Sequence, residues 1–152
     1  MLVACVLLSS ACAGGGQGER DEVARCTNGP LSDGTLARFS LDAPPVSATF
    51  RFCESRGKGG AELSLRGDPG ELREYVESLG MAEAHFVALP PDAVDQISKA
   101  ESLGGWTLSR GEEYLSDSSS REWNGECLID YQAFVPVRKS WREVLIGINC
   151  DS

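Results

Sequence analysis

The chain has 152 residues, 41% of them hydrophobic and 24% charged, with a formal net charge of -9, six cysteines and one histidine. That length holds one globular domain with a short appendage, and excludes a multidomain enzyme with a separate cofactor lobe. The excess of 23 acidic over 14 basic side chains opposes the counterion release that drives nucleic-acid binding, so no nucleic-acid partner is expected.

No charged residue precedes Glu19, and Met1 to Leu8 is apolar throughout, ahead of Ser9-Ser10-Ala11-Cys12 and the glycines Gly14, Gly15 and Gly16. A short apolar run closed by small residues has the pattern of an export signal and falls well below the ~20 residues of a membrane-spanning helix. Leu8-Ser9-Ser10-Ala11-Cys12 resembles the lipobox of bacterial lipoproteins, in which small residues precede a cysteine that becomes the lipidated first residue of the mature chain. The resemblance implies that residues 1–11 are a signal peptide and that Cys12 carries the lipid, anchoring the chain to the outer side of the bacterial cell membrane. Leu2-Val3-Ala4-Cys5 also fits the small-residue rule, but only Met1 stands in front of it. Residues 12–29 then read as a Gly-rich tether with a reach of roughly 20 Å. The globular domain follows over 30–152.

Within that domain, Thr35 to Leu41 reads as an edge strand halted by Pro44-Pro45. Ala48 to Glu54 and Ala61 to Arg66 alternate apolar with polar residues around Ser55 to Gly60, the pattern of a hairpin. Asp68-Pro69-Gly70-Glu71 supplies an N-cap, a first-turn proline and an acid, and Leu72, Tyr75, Val76 and Leu79 follow at helical spacing before Gly80. Ala84 to Leu89, around His85, reads as a short strand. A second helix is predicted from Pro91 to Leu103, with Val94, Ile97 and Ala100 inward and Gly104-Gly105 at its end. Trp106 to Leu108 reads as a further strand, and Arg110 to Glu126 as an acidic, serine-rich loop carrying Tyr114, Leu115 and Trp123. Glu126 to Phe134 and Glu143 to Cys150 form a last hairpin around residues 135–142. Strands paired through local hairpins, with two helices between them, define an α+β fold: an antiparallel sheet with both helices packed on one side.

With Cys5 removed and Cys12 lipidated, Cys26, Cys53, Cys127 and Cys150 remain, an even set that predicts two disulfides in an oxidising compartment. Setting Cys127 opposite Cys150 brings Ile129 to Ile148, Tyr131 to Ile146 and Ala133 to Val144, so that one face of the hairpin is apolar throughout. Cys26 is then left for Cys53. No Cys-x-x-Cys pair exists to suggest a zinc site, and no cofactor motif, metal loop or nucleophile motif occurs, so no catalytic residue, metal or cofactor is assigned. Ser55-x-x-Lys58 falls in the hairpin turn and reads as coincidence, and His85 has no partner identifiable from sequence. Trp106, Tyr114 and Trp123 are the candidate binding residues, since aromatics amid polar chain supply recognition area, although the favoured reading of such aromatics is that they cap the core. The functional expectation is a binding or interaction module facing another envelope protein or ligand. The alternatives are a small cell-envelope hydrolase and an inhibitor or protective lipoprotein that captures a basic enzyme.

Overall fold

Alternation along the strands and capping at the helix ends decide where each element begins. The computed structural model describes residues 24–56, 59–123 and 127–151. In chain order the elements are β1 (Arg25–Thr27), α1 (Asp33–Arg38), β2 (Thr49–Glu54), β3 (Ala61–Arg66), α2 (Pro69–Ser78), β4 (Val87–Ala88), α3 (Pro91–Lys99), β5 (Tyr114–Trp123), β6 (Cys127–Pro136) and β7 (Glu143–Asp151). Short 3₁₀ turns occupy Glu83–His85 and Val137–Lys139. The strands form one antiparallel sheet in the order β1-β2-β3-β7-β6-β5-β4.

Period-2 alternation gives the sheet one strongly apolar face. Leu63 and Leu65 of β3, Ile129, Tyr131 and Ala133 of β6, and Val144, Ile146 and Ile148 of β7 point to it and are buried. α2 covers that face with Leu72, Tyr75 and Val76, and is started as expected by the Asp68 carboxylate accepting the Gly70 and Glu71 amides at 2.9 and 3.2 Å. Removing a side chain such as Leu72 from water contributes about 2 kcal/mol. The opposite face is apolar only at one end, where Val94 of α3, Leu108, Tyr114, Phe134 and Leu145 form a second, smaller cluster. The helices therefore lie on both faces, which corrects the one-sided arrangement expected from sequence: α1 and α2 against the main core, α3 against the smaller cluster.

Both disulfides form with the expected partners, Cys26 with Cys53 and Cys127 with Cys150. The register of the last hairpin differs. Ile129 faces Cys150, Tyr131 faces Ile148 and Ala133 faces Ile146, two residues along from the expected pairing. Val135 is buried and extends β6 to Pro136, which shortens the connection to residues 137–142. A slip of two leaves every side chain on its expected face.

Other expectations are corrected outright. Thr35 to Leu41 is not an edge strand: Ser32 Oγ accepts the Thr35 amide at 3.2 Å and starts α1. The turn that follows places Ser40 at φ 49° and delivers Phe39 and Leu41 to the core. The second helix ends at Lys99, leaving Ala100 exposed beyond its last turn. Arg110 to Glu126 is not a loop, because β5 takes ten of its residues and pairs with β6 from Tyr114 opposite Pro136 to Trp123 opposite Cys127. The stretch read as tether contains β1, which pairs Cys26 with Cys53 on the sheet edge.

Candidate functional site

A seven-stranded sheet with an apolar cluster at only one end of its second face leaves the rest of that face open. On that face β5, β6 and β7 present two polar rows: Ser120, Asp130 and Asn149 side by side, then Ser118, Gln132 and Gly147. The rows form the floor of a trough of about 630 Å³, walled along one side by the chain from Ile97 to Trp106. Ser120 donates to the Asp130 carboxylate. Gln132 and Asn149 are exposed, and their amide groups have no hydrogen-bond partner among the described residues.

One carboxylate gathers several of the wall's polar groups, beside the Arg51 side chain, which donates to the Gly104 carbonyl at 2.8 Å. Glu62, on β3, accepts hydrogen bonds from the Leu103 amide at 2.8 Å, the Ser102 hydroxyl and the Gly105 amide at 3.0 Å each, and the Trp106 amide at 3.2 Å. Gly105 is required for this approach, since a Cβ there would lie 2.7 Å from Cβ of Glu62. Trp106 is locked in turn: its indole N–H donates to the Ile146 carbonyl at 2.9 Å, and its ring tilts against Phe134 with centroids 5.3 Å apart. The ring lies over Gly147, where a Cβ would stand 3.5 Å from Cζ2 of the indole, at van der Waals contact. The half-buried indole so becomes the aromatic side of a hydrogen-bonding trough. Glu62, Glu101 and Asp130 also line it, with no Lys, Arg or His among the described lining residues.

Of the candidates named from sequence, Trp106 alone is placed here. Tyr114 is buried in the smaller cluster, where its hydroxyl accepts the Ser109 amide at 2.9 Å, so it offers no exposed recognition surface. Trp123 closes the β5–β6 pairing opposite Cys127, and its side chain lies outside the described residues. Trp141 is buried edge-on to Phe86, away from the trough. Trp106 to Leu108 is not a strand but an irregular segment held by the Glu62 carboxylate rather than a backbone ladder. His85 is exposed at the end of a 3₁₀ turn, with no hydrogen-bonding side-chain partner among the described residues. Cys12 and Lys58 lie outside the described residues.

Glu62, Asp130, Gln132 and Asn149 were not singled out from sequence, though each occupies an outward position in a strand whose alternation was legible. What sequence could not show was that three strands would bring these positions into adjoining rows.

The fold and site together define a disulfide-braced, antiparallel α+β domain with one open, polar sheet face. No family model matches the chain, and neither a curated protein nor a solved structure matches it. Its two disulfides belong to an oxidising, extracytoplasmic compartment. Among the described residues no helix is long and apolar enough to cross a membrane.

Proposed function

We propose that this protein is a lipid-anchored binding module of the bacterial cell envelope, tethered through Cys12 and engaging another envelope component in the trough beside Trp106. The observation that carries the reading is the trough itself, a concave surface with an aromatic side held rigidly by Glu62 and a floor of amides and hydroxyls whose hydrogen-bonding capacity is largely unspent. A binding site needs donors and acceptors left free in the unbound chain, and Gln132 and Asn149 meet that need. The hydrolase alternative through His85 has less support, because a general base needs a nucleophile and an orienting group within reach. A trough lined by carboxylates, with no basic side chain among its described lining residues, also suits a cationic partner surface, the chemistry of the inhibitor reading.

The test is photo-crosslinking in intact cells, with a benzophenone amino acid placed at Gln132 in the trough and, as control, at Glu77, exposed on α2 across the sheet. Benzophenone inserts into C–H bonds of protein and glycan alike. A discrete adduct from position 132 and none from position 77 supports the reading. Equal or absent labelling at the two positions overturns it.

A further inference from the structure

The chemistry of the trough narrows what it can hold, on the reading that it is a binding site. We propose that it binds an uncharged saccharide, one sugar ring lying against the Trp106 indole and its hydroxyls bonded by Gln132, Asn149 and Asp130.

Saccharides are amphipathic in a particular way. The C–H bonds on one side of a pyranose ring make an apolar face, while hydroxyls ring its edge and act as both donors and acceptors. A matching site needs a flat aromatic surface on one side and, around it, planar amides and carboxylates whose donors and acceptors lie in a plane. The trough has this composition. Trp106 supplies the π face, oriented by its N–H bond to Ile146 and its contact with Phe134. Gln132 and Asn149 each offer one acceptor oxygen and two donor hydrogens. Asp130 and the Ser118 and Ser120 hydroxyls complete a floor on which neighbouring strands are about 4.8 Å apart. That pitch places polar groups at intervals comparable with the width of a sugar ring.

Other ligand classes fit less well. A phosphate, a uronic acid or an anionic lipid headgroup would meet Glu62, Glu101 and Asp130 with no cation among the described lining residues to offset them, on a chain of formal net charge -9. A lipid tail would bury the Gln132 and Asn149 amides without partners. An extended peptide adding to the sheet would need an unpaired backbone edge, whereas the trough floor presents side chains of strands already paired with each other.

The experiment uses the full chain purified in detergent and labelled with 5-fluorotryptophan, whose three tryptophans give separate ¹⁹F signals assigned by single Trp→Phe variants. Cellotriose and the β-1,4-linked trimer of N-acetylglucosamine are titrated to about 10 mM, the weak end of specific binding, with trigalacturonate as the charged control. The expected result is a saturable shift of the Trp106 signal by at least one neutral trimer, with the other two signals stationary. Affinity should fall at least tenfold in Gln132→Ala and Asn149→Ala, whose thermal unfolding stays that of the parent. Because the ligand carries no charge, affinity should hold between about 50 and 500 mM salt.

No shift with either neutral trimer overturns the saccharide assignment, as do preference for trigalacturonate, a shift confined to Trp123 or Trp141, and unchanged affinity in both variants. The two readings separate cleanly. If the trimers fail while position 132 still crosslinks to an envelope protein, the ligand class is wrong and the binding module stands. If both fail, both readings fall.

Discussion

Replacing Glu62 tests whether one carboxylate sets the geometry of the site. In Glu62→Ala the amides of Leu103, Gly105 and Trp106 lose their acceptor, while the Ser102 hydroxyl keeps the Trp106 carbonyl at 2.7 Å. Hydrogen bonds to a charged acceptor contribute ~1.5–3 kcal/mol each, but Glu62 is half-buried and water replaces part of what is lost, so we take ~1 kcal/mol for each of the three amides. The sum is about 3 kcal/mol, a substantial part of the ~5–15 kcal/mol that holds a domain folded. At ~3–4 °C per kcal/mol for a domain of this size, the midpoint should fall by about 10 °C. Glu62→Gln is the sharper variant. It preserves volume and one acceptor oxygen but turns an NH2 group toward amide donors, and about half the loss is expected. Thermal unfolding by circular dichroism reads the stability, and amide exchange at residues 103–106 reads the wall, where protection should be lost in Glu62→Ala before the sheet opens. An unfolding midpoint within about 2 °C of the parent, together with unchanged exchange at Trp106, would refute the argument.

The remaining predictions concern the braces around the site. Gly105→Ala should shift the Trp106 ¹⁹F signal and lower stability by about 2 kcal/mol in urea unfolding, because the new methyl meets Cβ of Glu62 at 2.7 Å and its backbone oxygen at 3.1 Å. Cys127→Ser with Cys150→Ser should remove about 3 kcal/mol by the loop-entropy model, a closure of 23 residues, and the double variant should unfold at correspondingly lower urea. Burial pushes the Tyr75 phenol above its ordinary value, helped by Asp42, and burial pushes Tyr131 up against the opposing pull of Ser40 and Arg121. Both phenols stay protonated in the folded chain at a pH where unfolded phenols ionise. Their contribution is therefore complete below about pH 10 and lost as the pH rises above it. Urea unfolding at a series of pH values should show this decline, and Tyr75→Phe should flatten it.

How much of this could be read from the amino acids depended on whether a residue's environment was local. The Asp68 cap needs only the next three residues, and the β2–β3 alternation only the hairpin that closes it, so both were legible. Cysteine pairing was legible because the apolar face of the last hairpin restricts which cysteines can meet. Its register was legible only modulo two, since a slip of two residues preserves faces and the burial of Val135 decides between the options. β5 was illegible for a physical reason. Its serines on one face line the open trough, and on the other Ser119 donates to the Leu79 carbonyl at 2.6 Å while Arg121 donates to the Ser40 and Ser78 carbonyls. With no apolar row beyond Leu115 and with partners on distant elements, such a strand has the composition of a loop. α1 was missed differently. Its Ser32 cap was present in the sequence, but Leu36, Phe39 and Leu41 also fit an interrupted alternation, and six helical residues are too few to establish a period. The trough carries both difficulties at once, because Glu62 and Trp106 lie 44 residues apart and meet only across the assembled sheet.

We propose a domain that works outside the cytoplasm, stapled by its cysteines and tethered at Cys12. The intact mass of the protein from its own envelope fraction, taken with and without reduction and alkylation, tests that most directly. The expected mass is that of a chain beginning at Cys12 with added acyl groups, and four further cysteines, Cys26, Cys53, Cys127 and Cys150, that alkylate only after reduction. A mass that includes residues 1–11, with thiols that alkylate without reduction, would contradict it.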